Sequence, residues 1–318
     1  MKLNQKFLNV FRALFMIGIL LFAFYYSYLN LDSFYMLFKV DYRAFLVMLA
    51  SALFFLYASA VQNAILIHAF GAPISNFESF GLTNVSSFFN LFLPQGATLT
   101  KAVYLKQKYG VPYSKSPALF LGLLIVFLII GAGILFITNL SVLLMGNHVP
   151  TIFWVITFCA LASGLLFGVE FPKESILRFG KIGQLMSNFS DGWKSLRMNT
   201  SCLVKACAWQ VVIFLSSGIW VATAYYSLGI KINPLLGVSI SLFASFVNLV
   251  VIIPGNFGVQ EIVYGYFTIL SGMLFSQGVV VSVLIRGIGL LVTLVLAPIS
   301  WYFLFYNQGI RIETTDRG

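Results

Sequence analysis

The sequence IPGNFGVQEIVY occupies residues 253–264 and can be laid on LPQGATLTKAVY, residues 93–104, with a constant offset. Proline, valine and tyrosine coincide in the two copies, at 94/254, 103/263 and 104/264. Each copy follows an apolar stretch rich in Ser and Asn. Transporters often carry a pair of Gly/Pro-broken segments at matching places in two halves, and such a pair points to a central binding site. The pair therefore predicts an internal repeat with a site between its halves; the alternative is two unrelated loops that match by chance.

The chain around these segments is too apolar for a soluble protein. Of its 318 residues, 60% are hydrophobic and 9% are charged, whereas a typical soluble domain carries roughly 25% charged residues because its surface faces water. A soluble enzyme, a secreted disulfide scaffold and a disordered chain are therefore excluded. The composition predicts an all-α, polytopic integral membrane protein. The net charge of +10 is interpreted as a determinant of membrane orientation and as attraction to anionic lipids. Nucleic-acid binding is not favoured, because it needs a water-exposed basic domain.

Seven stretches are long enough to cross a bilayer, which takes about 20 mostly apolar residues. They are 7–29, 44–70, 118–140, 151–169, 206–228, 235–253 and 278–306. Two further segments, 79–93 and 254–275, are interrupted by polar residues, Gly or Pro. Non-helical backbone at membrane depth survives only where it is buried in protein or lines a wet cavity. The two segments therefore predict re-entrant or broken-helix elements in a bundle of seven spans, or eight if 262–275 crosses.

Lysine and arginine concentrate at the N-terminal end, in 94–117 and in 171–205. Because cytoplasmic loops carry an excess of these residues, the pattern predicts a protein of the cell membrane with a cytoplasmic N-terminus. It also requires 79–93 to enter and leave on the same side. The side of the C-terminal tail stays open.

The whole chain, 1–318, is predicted to be one transmembrane domain. Its first half covers about 7–140 and its second half about 204–306. The linker 171–200 carries apolar residues every three or four positions, a helical pattern. This amphipathic helix lies either along the inner leaflet or packed under the bundle.

Two charged residues at membrane depth define the candidate site. Arg286 lies within the last apolar span, and Glu261 follows the PGNFG break. An ionisable residue inside a bilayer is a functional-site hypothesis by default, and arginine suits bidentate binding of a phosphate. The alternative is a structural ion pair that fastens the broken element to the last helix.

The two breaks supply the other candidate substrate contacts. A glycine permits turns forbidden to other residues, a proline ends the preceding helix, and a half-helix that begins there presents its N–H groups to an anion. The alternative is that both are simple chain breaks. The candidates in the second break are Pro254, Gly255, Asn256 and Gly258, and those in the first are Pro94, Gln95, Gly96 and Lys101.

The broken motifs LPQGATLTKAVYLKQKYGV and IPGNFGVQE, followed by LIRG at 284–287, resemble the lysylphosphatidylglycerol synthase transmembrane-region family of flippase-like membrane proteins. The resemblance covers roughly residues 10–305. The first motif departs from the family pattern, with Gln95 and Thr98 where glycines are common. The resemblance implies the flippase-like part alone, which moves or handles lipid-linked molecules without aminoacyl transfer.

The leading hypothesis is translocation of a phospholipid or a polyprenyl-linked glycan. A membrane enzyme and an accessory subunit of envelope lipid or glycan biosynthesis, with biosynthetic partner proteins, remain alternatives. No catalytic motif is found, so the chain is predicted not to be an enzyme. His68 and His148 are isolated, and a metal site needs more ligands; neither a metal nor another cofactor is expected. The expected partners are membrane lipids.

Overall fold

A computed structural model describes residues 31–69, 71–93, 95–112, 115–146, 149–168, 199–249, 258–270 and 272–306, with isolated positions at 25 and 28 and between 180 and 198. The predicted span 7–29 and most of the linker 171–200 lie outside the described residues. The regular structure of the described part is helical, without strands, as the composition predicts.

A short helix, Leu31–Tyr35, and a 3₁₀ turn, Met36–Lys39, precede nine helices of at least 12 residues in the described part of the chain. These are α1 (Tyr42–Ala69), α2 (Asn76–Phe92), α3 (Gly96–Tyr109), α4 (Lys115–Leu144), α5 (Thr151–Gly168), α6 (Thr200–Ser227), α7 (Pro234–Val247), α8 (Val259–Leu270) and α9 (Phe275–Trp301), which a π-helical turn, Tyr302–Tyr306, extends.

Four helices are long and apolar enough to cross a membrane: Tyr42–Ala69, Leu123–Leu144, Thr200–Ser227 and Phe275–Phe305. They coincide with four of the predicted spans and confirm an integral membrane protein. Helix α5 occupies a fifth predicted span, 151–169.

The predicted span 235–253 is wrong in its length. Helix α7 ends at Val247 and is followed by a turn at Asn248 and Leu249. Its 14 residues rise about 21 Å, which is short of a hydrocarbon layer about 30 Å thick. Helix α8, with 12 residues, is shorter still, so neither crosses by itself.

Helices α2 and α3 form a hairpin. At its tip, Gln95 adopts a left-handed conformation (φ 60°), and Gly96 lies so close to α2 that an added Cβ would be 2.5 Å from the carbonyl oxygen of Phe89. At its mouth, the Glu78 carboxylate accepts hydrogen bonds from Tyr104 and Tyr109, each at 2.7 Å, and pairs with Lys108 at 2.9 Å. The segment 94–117, expected as a cytoplasmic segment, is thus largely the second arm of this hairpin.

Helices α7 and α8 pack against each other through the stacked rings of Phe243 and Phe267, whose centroids are 4.6 Å apart. Asn233 caps the start of α7 by accepting a hydrogen bond from Leu235 N–H. Near the end of α8, Thr268 and Tyr225 of α6 share a hydrogen bond of 2.6 Å. This pair of short helices is the counterpart of the α2–α3 hairpin in chain order.

The two pairs open toward opposite ends of the bundle. The lower end holds the apolar cluster of Ile74, Tyr104, Val111, Cys202 and Phe305, next to the mouth of the α2–α3 hairpin. The upper end holds Val142, Val149, Leu228, Ile230 and Ile232, where α7 begins and α8 ends. Asn233 contacts Met145 there at 3.6 Å.

The order long, short, short, long therefore occurs twice, in α1–α4 and in α6–α9, with the short helices inverted. The contacts repeat the same pattern: α2 packs on α9, and α7 packs on α4. Helices α1 and α6 pair along the middle of the bundle, where Gln62 donates to Ala206 O at 2.9 Å and to Gln210 Oε1 at 3.0 Å.

Candidate functional site

A central cavity of about 270 Å³ lies between the two pairs of short helices. The end of α2 contributes Ser87 and Leu91, and the start of α8 contributes Gln260. Helices α1, α6 and α9 supply the remaining walls, whose residues are Ala52, Phe55, Leu56, Trp220, Ile285, Arg286, Gly289, Leu290, Val292 and Thr293. Both short-helix pairs therefore reach the same cavity from opposite ends of the bundle.

Arg286 is the charged residue of the cavity wall. Its Nε lies 3.0 Å from Glu261 Oε1. A terminal nitrogen donates to Gln260 Oε1 at 3.0 Å and, at 3.4 Å, to Glu261 Oε2. The side chains of Arg286 and Glu261 are 13% and 18% exposed, so the pair is largely withdrawn from the surface yet borders open space.

Glu261 holds the start of α8 together. Its Oε2 accepts a hydrogen bond of 2.8 Å from Gly258 N–H, which satisfies one of the N–H groups that a helix start leaves without an intrahelical partner. A carboxylate in the first helical turn is also favoured by the helix dipole. Gly258 has φ +83°, a conformation that glycine adopts without steric cost. The ion pair thus joins α8 to α9.

The sequence-predicted residues divide into three groups. Arg286 lines the cavity, and Glu261 and Gly258 adjoin it through the contacts above. Gln95, Gly96 and Lys101 are not among the lining residues of this cavity in the described part of the chain; they belong to the tip and second arm of the α2–α3 hairpin. Pro94, Pro254, Gly255 and Asn256 lie outside the described residues.

Four polar lining residues were not singled out from the sequence: Gln260, Trp220, Ser87 and Thr293. Trp220 Nε1 is buried and has no hydrogen-bond acceptor among the described residues, although buried indole N–H groups usually find one. The signal for Gln260 was its place beside Glu261 in the broken motif. Trp220 and Ser87 lie on other helices, and only the packing brings them to Arg286.

The lysylphosphatidylglycerol synthase TM region family has a profile that matches residues 9–297 of the chain. The match covers both pairs of short helices and Arg286. No curated protein and no solved structure matches the chain.

Proposed function

Because the chain belongs to the lysylphosphatidylglycerol synthase TM region family, we propose that it translocates a phospholipid or a lipid-linked amphiphile across the bilayer. The family assignment links this integral membrane protein to lipid handling. The observation that carries the proposal is the position of Arg286, which borders a cavity between two pairs of short helices that open toward opposite ends of the bundle.

The chemistry of the cavity favours an anionic head group. Arginine keeps its charge and presents several donors in one plane, which suits a phosphate. Glu261 pairs with Arg286, and Gln260 Oε1 accepts a hydrogen bond of 3.0 Å from the guanidinium. A phosphate oxygen that enters would take over part of this hydrogen bonding.

The inverted arrangement supports alternating access. The α2–α3 hairpin is re-entrant from the lower end, and α7 and α8 enter from the upper end. Rocking of one half against the other would expose the cavity to each end in turn, as in transporters built from inverted repeats. We place the lower end in the cytoplasm, with the N-terminus, because Lys106, Lys108 and Lys205 lie there.

The test is lipid translocation in proteoliposomes that contain a head-group-labelled phosphatidylglycerol. Arg286→Ala is expected to slow translocation about 10- to 100-fold, the loss of one or two charge-assisted hydrogen bonds. Arg43→Ala is the matched control, because Arg43 is an exposed arginine before the cavity-lining part of α1. This variant is expected to translocate lipid at the wild-type rate.

Arg286→Ala leaves the Glu261 carboxylate without its cationic partner and could unfold the site. The double variant Arg286→Gln/Glu261→Gln removes both charges and retains the shape of the pair. Translocation at the wild-type rate by this folded double variant would contradict the proposal.

A further inference from the structure

An apolar groove lies between α2 and α9, below the central cavity. Its walls are Val85, Phe88, Phe89, Ala297, Pro298 and Trp301, and its volume is about 270 Å³. The rings of Phe89 and Trp301 contact each other at a tilt of 54°, with centroids 5.7 Å apart. The side chains of this α2–α9 groove bear, apart from the Trp301 indole N–H, only carbon and hydrogen.

The groove lies next to the central cavity along the same two helices. On α9, Arg286, Leu290 and Thr293 line the cavity, and Ala297 and Trp301 line the groove. Their spacings of three or four residues place them on one face of the helix. On α2, Ser87 and Leu91 line the cavity, while their neighbours Phe88 and Phe89 line the groove.

The groove ends at a close contact between the helices. Gly81 of α2 packs so tightly on α9 that an added Cβ would lie 3.1 Å from Leu304 and 3.6 Å from Ser300. Above this contact, Pro298 lies inside α9, where it removes a backbone hydrogen bond and disfavours straight helix. The seam between the helices is therefore closed at the lower end, and toward the upper end the walls of the groove adjoin those of the central cavity.

We propose that the α2–α9 groove binds a hydrocarbon chain, acyl or isoprenoid, of the same molecule whose phosphate contacts Arg286. The inference rests on the proposed function and adds the tail to its substrate. Arg286 and Trp301 are 15 positions apart on α9, a rise of about 22 Å, so head group and chain are held along one helix face. Each methylene that leaves water for this groove adds affinity.

The bound molecule has a defined direction in the membrane. Its head group lies nearer the upper end, and its chain runs toward the lower end. This is the orientation of a lipid of the upper leaflet that has moved inward.

The experiment compares two phosphatidylglycerol probes in detergent: the dihexanoyl form, whose short chains stop before the groove, and a form with brominated long chains. Bromine quenches a neighbouring indole, and the Trp301 signal is the emission that Trp301→Phe removes. We expect the brominated probe to quench Trp301 in the wild type. Ala297→Phe, which fills the groove, is expected to abolish that quenching and to weaken long-chain binding at least about tenfold, with short-chain binding unchanged.

Two variants keep the result interpretable. Ile299→Phe is the control on the same helix, because Ile299 is 51% exposed and does not line the groove; it is expected to bind both probes as the wild type does. Phe88→Trp fills the groove from the partly buried side of α2, and it repeats the test if Ala297→Phe does not fold.

Three results would overturn the tail site. The first is long-chain binding that is retained in both groove-filling variants, and the second is an equal loss of affinity for both probes. The third is equal Trp301 quenching by a brominated diacylglycerol, which has the chains but no phosphate and would indicate ordinary lipid contact. Failure of the proposed function has a different signature. In that case the Arg286→Gln/Glu261→Gln variant would keep its affinity for the short-chain probe.

Discussion

Arg286 and Glu261 bring opposite charges together at membrane depth, 3.0 Å apart. Removal of one partner of a buried pair costs up to about 3–5 kcal/mol, because the other charge is left without compensation. Since both side chains keep some exposure, we expect Glu261→Gln to lower the free energy of unfolding by roughly 3 kcal/mol at most. The double variant Arg286→Gln/Glu261→Gln should recover most of this loss.

The measurement is a double-mutant cycle on thermal or denaturant unfolding in detergent. Additive effects of the two single variants would contradict a direct interaction between these side chains.

At the residue scale, the sequence could indicate Arg286 and Glu261 because a charge in an apolar stretch needs an explanation. It could not indicate Trp220 or Ser87. Neutral polar residues are common between membrane helices, and whether one faces a cavity depends on which helices become neighbours.

At the scale of the helical elements, the tip of the α2–α3 hairpin depends on Gly96. Gly96→Ala places a methyl group 2.5 Å from the Phe89 carbonyl oxygen, so the backbone must shift. We expect a loss of about 1–3 kcal/mol in unfolding free energy, as for other overpacked sites. Gly133→Ala is the control: an added Cβ at this helical position on α4 meets no atom within 4 Å, and alanine favours helix. Equal stability of the two variants would contradict the close approach at the tip.

The mouth of the same hairpin depends on Glu78. Burial raises the pKa of this carboxyl. Hydrogen bonds from Tyr104, Lys108 and Tyr109 together lower the pKa by more than burial raises it, so the pKa lies below its usual range. The ionised Glu78 carboxylate therefore contributes fully to the stability of the folded protein at neutral pH. This contribution is lost only as the pH falls through the lowered pKa.

We expect Glu78→Gln to speed amide hydrogen exchange in α3 about fivefold, the loss of about 1 kcal/mol from a partly exposed, charge-assisted network. Between about pH 6 and 8, the wild-type protection should stay constant after correction for intrinsic exchange. Protection that declines across this interval, or an unaffected Glu78→Gln variant, would mean that Glu78 does not hold the mouth closed.

The elements themselves were partly predictable. The short, polar stretch 79–93 indicated a segment that does not cross, and α2 ends at Phe92. The second arm, α3, was not predicted as part of the hairpin because its lysines indicated a loop. Helix α7 ends at Val247, earlier than its sequence suggested. Apolar residues continue in the sequence to Ile253, and hydropathy does not show where a helix stops.

For the whole molecule, the inverted order of the halves predicts two opposite faces. In a background in which Cys159, Cys202 and Cys207 are replaced by serine, Gln107→Cys should react with a membrane-impermeant thiol reagent only from the cytoplasm. Lys231→Cys should react only from outside. Both positions are exposed. Labelling of both from the same face of intact cells and inverted vesicles would contradict the inversion.

At this scale the sequence carried one informative signal, the match between 93–104 and 253–264. In the described residues, 98–104 of the first copy lie in α3, and the matching residues 258–264 begin and enter α8. The pairing of α1 with α6 could not be inferred. Gln62 and Gln210 are each one of several polar residues in a largely apolar helix, and nothing in either helix specifies its partner.

The most direct test of the account is whether the central cavity holds water. In the cysteine-free background, Ser87→Cys places a thiol on the cavity wall. Ser239→Cys places one at a fully buried position on α7, where the serine hydroxyl contacts Thr138 at 3.0 Å. The cysteine thiolate attacks a methanethiosulfonate reagent, forming a mixed disulfide and releasing methanesulfinate. The thiolate forms in water, and apolar burial suppresses it. The account predicts modification of the Ser87→Cys variant roughly 100-fold faster than of the Ser239→Cys variant, with phosphatidylglycerol slowing the faster reaction. Equal, slow modification of both variants would contradict it.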